Sequence, residues 1–150
     1  MSNRRYAFVM MIQNKYWQKF LQRSLDGFEI HSYVRRGFAG PSLTSVLLFY
    51  VAKPIGELAG YAEFVERSAG KVDEIWRKHG VESVLGSKEQ YDALLRGAKN
   101  VSFIRFKNLR KAKDPLPLRN LLMMLGKKRL SRAGFYLGRE EAEKLVALMD

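Results

Sequence analysis

The segment Ser45–Glu66, SVLLFYVAKPIGELAGYAEFVE, constrains the fold more than any other part of the chain. Val46 to Val51 is an unbroken apolar run, too short for a membrane span and rich in residues that favour strands. Lys53-Pro54-Ile55-Gly56 then supplies turn chemistry, proline fixing φ and glycine admitting a positive one. After the turn Leu58, Gly60, Ala62 and Phe64 alternate with Ala59, Tyr61, Glu63 and Val65, the period of a strand with unlike faces. Two long strands joined by a tight basic turn need a sheet around them. The expectation is an α+β chain built on a small mixed β-barrel with surrounding helices.

The remaining elements follow in order. Tyr6–Gln13 reads as a first strand, not a signal peptide, because no small-residue cleavage site follows its apolar run. Asn14 is placed to cap a helix running through Ser24, with Trp17, Phe20, Leu21 and Leu25 on one face. Phe28–Arg35 alternates as a second strand, followed by a glycine-rich loop, Arg36-Gly37-Phe38-Ala39-Gly40-Pro41-Ser42. A short helix over Lys71–His79 carries acids in its first turn and bases in its last, and Ser87-Lys88-Glu89-Gln90 is a capping box opening another. These two helices are expected to cover one end of the barrel. Asn100–Lys107 reads as a strand, Leu109–Asp114 as unpatterned, Pro115–Leu118 as extended and Arg119–Leu125 as a helix closed by Gly126. Gly134–Leu137 is a last strand, and Gly138-Arg139-Glu140-Glu141 opens a last helix to Met149. With no linker or repeat in view, residues 1–150 are expected to form a single domain.

Charge bears most directly on function. The chain holds 27 Lys and Arg against 15 Asp and Glu, a net charge of +12. The excess is uneven: residues 1–50 carry a net +5, residues 51–100 none and residues 101–150 +7. Between Val101 and Arg132 stand ten basic residues and one acid, Asp114. Localised positive charge is the footprint of a polyanion binder, whereas a merely solvated surface intersperses its signs. With no cysteine, disulfides, thiolate metal sites and a cysteine nucleophile are excluded together, and the expected compartment is the cytoplasm. No apolar window approaches the ~20 residues of a spanning helix, so no membrane partner is expected. No histidine–carboxylate spacing suggests a metal, and no glycine-rich nucleotide loop or other cofactor signature is present.

The residues Leu47 to Leu118 carry a resemblance: GELAGYAEFVE closing the strand pair, then EIWRKHG, SKEQYDALLRG, a strand and DPLPL. In this layout the chain resembles the PUA-like clan, the small RNA-associated barrels that include the PUA, ASCH and EVE families, and more narrowly uncharacterised archaeal proteins within it. The resemblance implies a PUA-like barrel, an RNA partner and a ligand groove lined from the first helix, the second strand and the loop after it. One departure is visible. ASCH proteins carry a G-x-K-x-x-E-x-R pattern where this chain has Gly27 to Arg35, with Glu29 in the lysine slot and Ser32 in the glutamate slot. The lysine–glutamate arrangement of hydrolytic relatives is missing at that register, which argues against inherited amidohydrolase chemistry.

The candidate nucleic-acid-binding residues are therefore Arg35 and Arg36 beside the glycine-rich loop, Lys53 at the hairpin turn, Arg105 and Arg110, and the cluster Lys127, Lys128, Arg129 and Arg132. Lys15, Tyr16, Trp17 and Tyr136 are candidates for a base pocket. The expected function is a non-catalytic RNA-binding module contacting phosphates through a basic face. The alternative is a hydrolase of a modified nucleoside or nucleotide using Lys15, Glu29, His31 and Ser32, with Glu29 and His31 on one strand face as an oriented base.

Overall fold

A computed structural model describes residues 3–150. The apolar runs Ala7–Ile12 and Val46–Val51 form strands β1 and β3, which lie parallel and side by side. Both bury their two faces: Phe8, Met10, Leu47, Phe49 and Val51 point one way, and Val9, Leu48 and Tyr50 the other. A strand covered on both sides has no polar face to show, which is why Val46–Val51 reads as an uninterrupted apolar run. The hairpin partner β4 (Glu57–Lys71) follows through the Lys53–Gly56 turn, with Gly56 at φ 62°.

The helix α1 (Asn14–Leu25) lays Trp17 and Phe20 on the first face. Gln13, not Asn14, holds its cap position, and Asn14 Oδ1 accepts from Gln18 Nε2 at 3.2 Å inside the first turn. The margin strand β2 (Ile30–Arg36) starts two residues later than its alternation suggests. α2 (Val72–His79) and α3 (Lys88–Leu94) pack Ile75 and Tyr91 on Val101 and Phe103 of β5 (Asn100–Pro117). Ser87 caps α3 by accepting the Gln90 N–H at 3.2 Å, but Gln90 Oε1 turns to the Gly86 N–H at 2.8 Å, so the reciprocal half of the capping box is displaced by one residue. α4 (Leu118–Leu125), β6 (Phe135–Leu137) and α5 (Arg139–Met149) close the second face, where Leu121, Ala142, Leu145 and Met149 cover Val9, Leu48 and Leu58.

β5 runs eighteen residues and includes Leu109–Asp114, which reads as unpatterned in sequence. It pairs with β4 at both ends and at Arg110 and Lys111 between them, and the register shifts at three places: between Leu58 and Gly60, Tyr61 and Glu63, and Phe64 and Glu66. Each bulge resets the inside–outside alternation, so the period of two is lost while the ladder continues. At the first of them Gly60 is required by close approach, since a Cβ there would collide with the Arg110 carbonyl and lie 2.8 Å from the Trp17 ring.

The six strands run in the order β2-β5-β4-β3-β1-β6. The margins β2 and β6 do not pair with each other, so the expected barrel is an open mixed sheet flanked by helices. The physical reason lies in β6, which offers only three residues, all engaged by Ala7–Val9 of β1, and leaves β2 without a partner strand on its outer edge. Among the described residues no helix is long and apolar enough to cross a membrane.

Candidate functional site

Two adjoining clefts open where the β2 margin faces the C-terminal end of β1. The first, about 370 Å³, is lined by Tyr16 of α1, Ser32 to Arg36 of β2 and Ser83 to Leu85. The second, about 750 Å³, is lined by Tyr33, Arg35, Lys53, Lys128, Arg129 and Arg132 over an apolar floor that includes Ile12 and Leu122. They share Gln13, Tyr33 and Arg35, so Arg35 stands at their junction. Six cations line this groove (Arg35, Arg36, Lys53, Lys128, Arg129 and Arg132) and no aspartate or glutamate does.

Local folding explains the convergence. As a margin strand, β2 has an unpaired outer edge, and although His31 and Ser32 are buried, its second half from Tyr33 to Arg36 is partly open. The loop after it is pinned: Ser102 Oγ donates to the Gly37 carbonyl at 2.7 Å, and Arg67 donates to the Phe38 carbonyl at 3.0 Å. Arg36 donates to the Leu94 and Arg96 carbonyls at 3.1 Å each, a helix C-terminus that steadies its charge without neutralising it. On the other side, Gly126 at φ 64° ends α4 and swings the following basic segment toward the groove. Lys53 enters from the β3–β4 turn. Among the described residues none of the six groove cations forms an ion pair, whereas Lys88, Lys107, Arg105, Arg139 and Lys144 all do.

Three sequence candidates fall outside. Lys127 is turned away, its Nζ 3.9 Å from the centroid of the Phe135 ring. Arg105 is committed to Glu82, which it grips through Nε and Nη2 at 2.9 Å each, and to Glu66. Arg110 lines a different cleft together with Glu63 and Tyr61. Of the base-pocket candidates, Tyr16 lines the first cleft, lies edge-on to Tyr33 at 6.4 Å and carries Lys15 Nζ 5.0 Å from its ring centroid. Trp17 is a core residue at 3% exposure, packed on Phe49, because the next helical position points inward. Tyr136 packs edge-on to Phe8 and accepts the Ser42 N–H at 3.3 Å, away from both clefts.

The hydrolytic set does not assemble. Glu29 is exposed and precedes β2, while His31 is buried against Phe106 and Phe20. Burial, and then Arg23, push the His31 imidazole down to about 4, and its Nδ1 has no hydrogen-bond partner. It is a neutral core group, not a base facing the groove.

Glu82 has no counterpart in the sequence reading. It follows α2 in a single 3₁₀ turn (Gly80–Glu82), where Oε1 accepts from Ser32 Oγ at 2.8 Å while Arg105 holds both carboxylate oxygens. Burial pushes its carboxyl up, but the Arg105 and Ser32 hydrogen bonds outweigh that and hold it below the ordinary range. Fifty residues from Ser32 and twenty-three from Arg105, it sends no local signal that would announce the contact.

No protein-family model matches the chain, and no curated protein does. Solved structures do. A serine-to-alanine mutant of the ASCH protein from Zymomonas mobilis aligns over all of both chains at 21% identity with a TM-score of 0.80. The fold is ASCH-like. The unmutated ASCH protein of the same organism matches at 20% identity and TM-score 0.79, over 97% of this chain and 96% of its own. A hypothetical protein from Leishmania major matches at 14% and 0.58, over 99% of this chain and 96% of its own. The ASCH-like fold agrees with the clan-level resemblance of Leu47–Leu118.

Proposed function

We propose that this ASCH-like protein is an RNA-binding module that holds a single strand in the groove along β2. The observation that carries the reading is the gathering of Arg35, Arg36, Lys53, Lys128, Arg129 and Arg132 around one groove without a carboxylate. Such a surface attracts phosphates at long range and binds them by releasing counterions. Tyr16 and Tyr33 at the narrower end add ring surface for one unstacked base, the mode by which proteins recognise single-stranded RNA. The hydrolase alternative would have to run through Ser32, the one member of Lys15, Glu29, His31 and Ser32 that lines the cleft. The carboxylate beside it is claimed by Arg105 and is a weak base, so binding is the better reading.

The test is a salt titration with a short single-stranded RNA. If the six cations meet six phosphates, log K falls with log salt at a slope of roughly −4 to −5. Replacing Lys128, Arg129 and Arg132 by Ala together flattens the slope by about 2. A salt-independent affinity, or a triple variant that binds as the parent does, overturns the proposal.

A further inference from the structure

The wall of the first cleft formed by Ser83 and Leu85 has a second side. There, between the end of α1 and α2, lies another cleft, of about 650 Å³, lined by Arg23, Phe28, Trp76, Arg77 and Lys78 and by no acid. Phe28 is 47% exposed, and the Arg23 guanidinium lies over its ring, 4.0 Å from the centroid. Arg23 also donates to the Val81 carbonyl, which fixes it in place, while its Nε is buried and has no hydrogen-bond partner. The acid nearest in sequence, Asp26, accepts from Gln22 Nε2 at 3.0 Å and acts on Arg23 through space without forming an ion pair with it. An exposed aromatic face backed by a fixed guanidinium, with two exposed cations on the same rim, suits a planar base carrying a phosphate.

We propose that this cleft is a second nucleotide station, engaging the same RNA strand after it has crossed the Ser83–Leu85 wall. The inference rests on the reading of the β2 groove as an RNA site. The groove supplies the phosphate grip, the wall carries the strand over, and Phe28 with Arg77 and Lys78 holds a base and the flanking phosphates beyond it. Nothing in the charge pattern of the sequence points here, because Arg77 and Lys78 belong to the third of the chain whose net charge is zero.

Two oligouridylates, of about 4 and about 12 nucleotides, separate the stations when measured at one protein per strand. The longer binds at least tenfold more tightly to the parent protein. The triple variant Phe28→Ala, Arg77→Ala, Lys78→Ala, all exposed or partly exposed positions, loses most of that gain. Its salt slope for the longer strand drops by about 1.4, the share of two phosphates, and its affinity for the shorter strand is unchanged. Unchanged affinity and slope for the longer strand in this variant overturn the second station alone. If Lys128→Ala with Arg129→Ala weakens neither strand, the groove reading itself falls, and the path through the wall falls with it.

Discussion

His31 shows how one side chain can lose its apparent chemistry to its surroundings. Its neutral ring is packed between Phe20 and Phe106, with a folded value of about 4 against an ordinary 6.5. Below pH 6.5 the unfolded chain takes up a proton that the folded one refuses. Stability from this group is therefore whole above pH 6.5 and declines as pH falls toward 4, by roughly 1–3 kcal/mol in all. Urea denaturation between pH 7 and 5 should show the decline, and His31→Leu should reduce it, leaving the share of His79, whose imidazole is also lowered by burial. The sequence places Glu29 and His31 on one strand face, but a strand that begins at Ile30 leaves Glu29 outside the ladder. Lys127 is a similar case: four basic residues stand close together in sequence, and which one turns toward Phe135 depends on the bend after Gly126.

At the level of elements, helices and the spine hairpin are readable because each carries its own periodicity and punctuation. Gly126 ends α4 where expected and the Lys53–Gly56 turn joins β3 to β4. The second half of β5 is not readable, since three bulges against β4 scramble its alternation. Closure into a barrel is not readable either, because it depends on whether two distant margins have enough strand to pair. The polar hub of Ser32, Glu82, Arg105 and Glu66 ties β2, the turn after α2, β5 and β4 together. Glu82→Ala leaves the buried Ser32 hydroxyl without its acceptor and Arg105 with Glu66 as its remaining carboxylate. The expected loss is about 2–3 kcal/mol, seen as a lower midpoint in thermal or urea denaturation. Because the hub touches the groove only through the neutral Ser32 and contributes none of its cations, the salt slope of RNA binding should be unchanged in protein that remains folded.

For the molecule as a whole, what matters is which cations have partners. Lys88 pairs with Asp73 and Asp92, and Lys144 with Glu140, none of them among the residues that line the groove. Replacing Lys88 and Lys144 by Ala removes as much formal charge as replacing Lys128 and Arg129. Yet it should move RNA affinity by less than about twofold, because neither lysine lines the groove and so neither meets a phosphate of the strand. A filter-binding comparison of the two double variants checks this. The excess of positive charge in the two end thirds of the chain is visible in sequence, as is its promise of a polyanion. The meeting of Arg35 with Lys53 and Arg129 is not, since it follows from a fold that brings β2 and the segment after α4 to one opening.

The unpaired state of those six side chains has an energetic counterpart. Packed around one opening with no anion to answer them, they repel one another, and the empty protein carries that tension in its least closed region. On the RNA-binding proposal, a polyphosphate strand relieves it on arrival, so occupancy and resistance to unfolding rise together. On that reading the ligand, not the sheet, would tie β2 to the basic segment after α4.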